Sequence, residues 1–221
     1  MDNKEYFSKN KNLYKEEVKK CNVLYRNIAN KLNEIISGKL IDWGNGGIIN
    51  YDNERLKKVI CFDIINENKI LTSDKTDHLY GDFYQPEFPL KPDYILIQFL
   101  LHHLVDDEGI KNGLKECRKV LEHKNQLIVV EMVLPVYLEV IQNALKPLLF
   151  LLLTLFKKPT IRFFSKKSLF RALEETGFNV VKVINIELGK SMILSSVISP
   201  KLKLKLPTLL YPTRCVILLA E

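Results

Sequence analysis

Two adjacent histidines, His102 and His103, stand in the run Leu101-His102-His103-Leu104-Val105-Asp106, directly after an apolar segment. An imidazole with an ordinary pKa near ~6.5 is largely neutral at pH 7 and can take the proton from a hydroxyl as its oxygen attacks an electrophile. His102 is the candidate general base and His103 the alternative; a boundary histidine satisfied by its neighbours is the competing reading. Upstream, Asp42-Trp43-Gly44-Asn45-Gly46-Gly47 closes one apolar run, and Asp63 ends the next, 19 residues after Gly44. Glycines let the backbone approach a ligand closely, and a carboxylate at a neighbouring strand end can accept both hydroxyls of a ribose. The spacing is that of a nucleoside-binding crevice in an α/β sheet. A dinucleotide fingerprint requires glycine at position 49, where Ile49 stands, which argues against a pyrophosphate ligand.

The elements that must hold these residues are legible as alternating patterns. Between residues 5 and 36, Leu24, Ile28, Leu32 and Ile35 recur at three- and four-residue steps, which predicts one or two amphipathic helices ended by Gly38. Lys39–Trp43, Lys58–Phe62, Pro92–Gln98 and Leu127–Glu131 read as buried strands, with a turn and a helix expected between the first two. A helix is predicted from Asp106, its N-cap, to Leu121. Near-continuously apolar strands alternating with helices imply a parallel sheet covered on both faces. Beyond Pro135, Val136–Phe156 is a strongly apolar helical region, and Ser165 caps a helix that closes at Gly177. Phe178–Ile186 and Thr213–Leu219 are the last strands. Their connection, 187–212, is long, apolar and basic, with Lys201, Lys203 and Lys205 alternating with Leu202, Leu204 and Leu206. It is expected to form a flap that touches a membrane surface or a lipophilic substrate, or else a strand with one solvated face.

Composition narrows the class. With 221 residues, 47% of them hydrophobic, the chain suffices for one domain with a core of its own. The net charge of +7 is carried by the C-terminal part: residues 157–221 hold 12 basic and 4 acidic side chains. That admits an anionic partner and is equally ordinary solubilising charge. The four cysteines are scattered and lack a C-x-x-C pair, so neither zinc nor a disulfide framework is expected, and a cytoplasmic location is. The polar N-terminus does not read as a secretory signal, and Leu148–Phe156 is too short to span a bilayer, which takes roughly 20 residues.

Five further segments occur in order: Gly81-Asp82-Phe83, Pro92-Asp93-Tyr94, Leu101 to Glu108, Cys117-Arg118-Lys119-Val120-Leu121 and Glu131-Met132-Val133-Leu134-Pro135. Together with Asp42-x-Gly44-x-Gly46 they resemble the catalytic domain of the plant and polyketide O-methyltransferases, which are class I S-adenosylmethionine-dependent methyltransferases. The resemblance covers residues 38–135 and, more loosely, 165–183. It implies a Rossmann-like, doubly wound, mostly parallel seven-stranded sheet with an antiparallel last strand. A single domain would then comprise a helical cap (1–38), a cofactor-binding core (39–135) and a substrate-side region (136–221).

The resemblance also implies S-adenosylmethionine as cofactor and no metal. Asp42, Gly44 and Gly46 would line its methionine end, Asp63 the ribose, and Asp82 and Phe83 the adenine. Gln98, closing the third strand, joins the candidate cofactor contacts, and His102 aligns with the catalytic base. Glu131 would orient the histidine or the substrate, or serve structure alone. Three departures stand out. Ile48 replaces a motif glycine; His103-Leu104 replaces an Asp-Trp pair, a form also found in stand-alone methyltransferases of quinones and lipids; and 38 residues are too few for the family's helical dimerisation domain.

The expected activity is O-methylation of an apolar, lipophilic small molecule, with peripheral membrane contact as a further partner. Two alternatives stand beside it. One is a catalytically silent methyltransferase-fold protein that binds a partner through its C-terminal surface. The other is a nucleic-acid methyltransferase, which only the basic tail supports, since no N/D-P-P-Y/W motif follows Gln98 and no Pro-Cys nucleophile is present.

Overall fold

Each apolar run of the sequence becomes a strand of one sheet. In the computed structural model, which describes residues 5–9, 21–65, 74–104, 106–122, 124–187 and 214–221, the strands are β1 (Lys39–Trp43), β2 (Lys58–Asp63), β3 (Thr76–Tyr80), β4 (Tyr94–Gln98), β5 (Gln126–Leu134), β6 (Phe164–Ser165), β7 (Val180–Glu187) and β8 (Arg214–Ala220). The helices are α1 (Asn22–Ile35), α2 (Asp107–Val120), α3 (Val136–Ala144), α4 (Lys146–Leu155) and α5 (Lys166–Glu174), and residues 5–9 are also helical.

The strand order is β3-β2-β1-β4-β5-β8-β7, with β6 pairing the end of β5. The pairs among β1 to β5 are parallel, and β8 runs antiparallel to both β5 and β7. The seven-strand path is therefore the expected one, and β6 is a two-residue addition too short to leave a pattern. The order reverses between β1 and β4, so a crevice opens beyond the carboxyl ends of those strands. Register puts Trp43 opposite Phe62 and Ile97, and so delivers Gly44, Asp63 and Gln98 to one edge.

Successive residues of a strand face opposite sides, and both sides are covered. On one side Ile41, Ile60, Ile95 and Val129 pack with Ile110 and Leu114 of α2 and with Leu169 and Leu173 of α5. On the other, Leu40, Val59, Leu96 and Val130 pack with Leu24, Ile28 and Leu32 of α1. Ile28 and Leu32 are fully buried, and each such side chain contributes roughly 1.5–3 kcal/mol.

Two sequence expectations are corrected. The helix expected between β1 and β2 does not form: residues 44–57 hold only a 3-10 turn at Asn53–Arg55, begun by Asp52. Gly46 and Gly47 sit at φ 64° and 76°, and Asn45 and Asp52 spend their side chains on local turn bonds, so this stretch is turn-forming rather than helical. The face such a helix would cover is filled by α1. The second correction is that Val136–Phe156 is two helices, bent by 70° at Leu145. Pro147 cannot donate the bond to Asn143 that a continuous helix needs.

The remaining boundaries match. Asp106 accepts from Gly109 N at the start of α2, and Ser165 accepts from Ser168 N at the start of α5. Strand β3 was not anticipated; its Thr-Asp-His-Leu-Tyr sequence belongs to a half-covered edge strand. The flap expected at 187–212 lies outside the described residues.

Candidate active site

The glycine turn after β1 is fastened to the end of β2. Gly44 N and Asn45 N both donate to Phe62 O (2.7 and 3.2 Å), and Gly46 N donates to Asp63 Oδ2 (2.7 Å). Gly44 has φ 77°, and a Cβ there would lie 2.5 Å from Leu100 Cδ2, so both conformation and space require glycine. The second Asp63 oxygen accepts from Ile65 N (2.8 Å), and the Asp63 carbonyl accepts from Gly81 N (3.1 Å). One aspartate thus ties together the chain leaving β1, β2 and β3.

A cavity of about 220 Å³ lies at these strand ends. Of the residues expected at the site, Gly44, Gly46, Asp63, Asp82, Phe83 and His103 line it. Asp82 is exposed and its Oδ1 accepts from Tyr84 N (2.9 Å), which sets the turn after β3. Phe83 is only 8% exposed, with its ring 5.2 Å from that of Trp43. It reaches this position against Gly113 of α2, where a Cβ would lie 1.7 Å from Phe83 Cε1. Trp43 also lines the cavity, and its buried Nε1 has no acceptor among the described residues. Phe99, another lining residue, holds φ 53°, a costly conformation for an aromatic residue and one that clusters at functional sites.

Asp42, Gln98 and His102 are not among the lining residues. Asp42 is 3% exposed, and its Oδ2 accepts from Asn45 Nδ2 (2.6 Å) and Tyr51 OH (2.8 Å). Burial pushes its pKa up to about 7, against the opposing pull of those two hydrogen bonds. It acts as a post behind the glycine turn. Gln98 ends β4 with its Oε1 buried and, among the described residues, without a hydrogen-bond partner.

Both histidines are carried by a 3-10 turn, Leu101–His103, directly after β4. Glu131, at the corresponding level of β5, has no exposed surface and serves two donors of that turn. Its Oε1 accepts from Leu101 N (2.7 Å), and its Oε2 lies 2.8 Å from His102 Nδ1. A carboxylate accepting from Nδ1–H leaves the Nε2 lone pair as the basic atom of the ring. The His103 ring lies tilted beside it, centroids 4.1 Å apart, and meets the Phe7 ring edge-on at 4.8 Å. Burial, with His102 beside it, holds His103 well below the usual imidazole pKa, so it is neutral at physiological pH. Arg162 closes this side: its N donates to His102 O (2.8 Å), and its Nη1 pairs with Asp107 Oδ1 (2.6 Å).

Tyr51, Phe7 and Arg162 escaped the sequence reading. No motif marks them, and each reaches the site from a distant or irregular segment. Among the described residues, no three His, Cys, Asp or Glu side chains are arranged to hold a metal ion.

Comparisons with known proteins agree with this architecture. The chain superposes on a proposed methyltransferase from Bacillus halodurans with TM-score 0.58 and 17% identity, covering 83% of this chain and 90% of that one. Against CalO1, a methyltransferase of calicheamicin biosynthesis solved with S-adenosylhomocysteine bound, the values are 0.61 and 17%; 94% of this chain is covered but only 56% of CalO1. A chain of the complex between the Haloferax volcanii Trm112 methyltransferase activator and a proposed methyltransferase gives 0.67 at 13% identity, with 99% and 97% covered. At such identities the likeness is one of fold. No curated protein matches the sequence significantly. The signature of the O-methyltransferase domain matches residues 56–166, half of the chain, and it is to this family that the protein belongs.

Proposed function

We propose that the protein is an S-adenosylmethionine-dependent O-methyltransferase that acts on a lipophilic small molecule, with His102 as general base and His103 as the alternative. The observation that carries the reading is the pairing of His102 Nδ1 with the buried Glu131 carboxylate at 2.8 Å, on the same sheet edge as the glycine-lined cavity.

The residues present fit the cofactor. The cavity offers close backbone approach at Gly44 and Gly46 and carboxylates at Asp63 and Asp82. Bound S-adenosylmethionine supplies a methyl group on a sulfonium that carries its own leaving group, so the reaction needs mainly alignment. Asp63, at the end of β2, accepts from the ribose hydroxyls. Asp82 accepts from the adenine amine, and Phe83 packs on the ring. His102 takes the acceptor's proton at Nε2 while Glu131 holds Nδ1–H and stabilises the imidazolium. Phe7, Phe99, Leu100 and Leu104 give the cavity an apolar wall suited to an apolar acceptor.

Titration calorimetry with S-adenosylhomocysteine, followed by labelled-methyl transfer to a panel of phenols, quinols and extracted lipids, tests the reading. His102→Ala is expected to lower turnover by roughly 10²- to 10⁴-fold with cofactor affinity near wild type. No affinity for either form of the cofactor would favour the catalytically silent binding protein.

A further inference from the structure

The α3–α4 hairpin turns a broad apolar surface outward. Val140 and Ile141 of α3 are 63% and 49% exposed, Leu148, Leu151 and Leu155 of α4 52–67%, and Phe156 after it 61%. Helix α3 is bolted to the body through its other face. Leu138 is buried there, Glu139 accepts from Ser165 N (3.1 Å) and Ser168 Oγ (2.7 Å), and Gln142 exchanges two hydrogen bonds with the Phe163 backbone (2.8 and 3.1 Å). Helix α4, by contrast, buries no residue at all. Isolated exposed leucines need no explanation, but a contiguous apolar face of this kind marks an interaction surface.

Charge identifies the occupant. Residues 140–173 contain seven Lys or Arg and no Asp or Glu. Lys146 opens α4, and Lys157 and Lys158 follow Phe156 directly. A second copy of the chain would bring like charges together across a two-fold interface. An anionic bilayer satisfies both properties at once, taking up the apolar face and attracting the lysines. The ten residues of α4 extend only ~15 Å, half of the ~30 Å hydrocarbon core, so the hairpin lies within one leaflet. No described helix is long and apolar enough to cross a membrane.

We propose that the bent α3–α4 hairpin is a monotopic membrane-docking element: its exposed leucines enter one leaflet of an anionic bilayer and its lysines contact the headgroups. The element stands on the strand-end side of β5, which leads directly into it, so docking brings lipid-dissolved molecules towards the cavity. The docking itself does not depend on which acceptor is methylated.

Flotation of the full chain with vesicles of phosphatidylcholine, with and without phosphatidylglycerol, tests this. Binding is expected to anionic vesicles and to weaken with salt. Leu151→Glu with Leu155→Glu should abolish it while the melting temperature and S-adenosylhomocysteine affinity stay near wild type; Lys157→Gln with Lys158→Gln should weaken it roughly 30-fold. Undiminished binding of the leucine variant overturns the proposal and moves the contact elsewhere in the chain. So does a wild-type protein that ignores both vesicles, and a dimer that the leucine variant converts to monomer would then assign the face to self-association.

Discussion

Replacing Glu131 with glutamine separates what the carboxylate does for the fold from what it does for the histidine. Glu131 is fully buried and serves two donors, Leu101 N and His102 Nδ1, with one oxygen each. Glutamine offers one oxygen and one amide. If the oxygen stays on Leu101 N, the amide faces His102 Nδ1, and every bond can still be made provided the imidazole moves its proton to Nε2. The opposite orientation sets an N–H against the Leu101 N–H and costs about 1–3 kcal/mol, so the first is favoured. The expected outcome is a folded protein, less stable by about 1–3 kcal/mol through loss of two charge-assisted bonds, in which His102 presents a proton where it formerly presented a lone pair. Glu131→Ala strands both donors and is expected to cost about 2–6 kcal/mol. Two-bond ¹H–¹⁵N correlation on histidine-labelled protein reads the tautomer without any acceptor substrate: Nδ1–H in the wild type, Nε2–H in Glu131→Gln. Turnover should fall roughly 10²- to 10⁴-fold with cofactor affinity unchanged. A wild-type ring protonated at Nε2, or a glutamine variant with wild-type turnover, would refute the reasoning.

Three further outcomes are expected. Asp63→Ala should weaken S-adenosylhomocysteine binding by about 1.5–3 kcal/mol, read by calorimetry, and unchanged affinity would remove Asp63 from the ribose site. Asp42 keeps its proton in the folded protein up to about pH 7 but in the unfolded chain only to 3.8, so the native state binds more protons across that window. Stability therefore falls as pH rises through it, by up to roughly 4 kcal/mol from this group over the whole window, and urea unfolding at pH 5 and pH 8 should show about 2.5 kcal/mol of that, missing in Asp42→Asn. Gly113→Ala, on a helix that does not itself line the cavity, should displace Phe83, destabilise the protein by about 1–3 kcal/mol and lower cofactor affinity; a neutral substitution would contradict the packing described.

The central strands were legible because burial on both faces leaves an unbroken apolar run, as in Val59-Ile60-Cys61-Phe62 and Leu127-Ile128-Val129-Val130. Edge strand β3 was not, since at the margin of the sheet it is only partly covered on either face and admits Asp77 and His78. Caps at Asp106 and Ser165 are local chemistry and read directly. The break at Pro147 was present in the sequence but was outweighed by the apolar content around it. At the candidate site, glycine spacing and strand-end carboxylates pointed to the sheet edge at which the cavity lies. They did not reveal that Asp42 turns away, because the Asn45 and Tyr51 side chains that capture it are set by the irregular path of residues 44–57. The link between His102 and Glu131, 29 residues apart, follows from the parallel pairing of β4 with β5, a tertiary fact that spacing alone does not encode.

The irregular path of residues 44–57 also bears on how spent cofactor is exchanged for fresh. A helix starting at the glycine turn would aim about half a positive charge at the ligand. At ~6 Å and an effective dielectric constant of ~20, such a charge would disfavour a sulfonium by about 1.4 kcal/mol relative to the neutral thioether left after methyl transfer, a tenfold bias towards retaining product. Here the turn leads instead into looped chain, and the described residues lining the cavity include Asp63 and Asp82 but no lysine or arginine. On the proposed placement of the cofactor, that penalty is absent and the two carboxylates favour the cation over the uncharged product, so each turnover would end with the electrostatic grip on the ligand loosened.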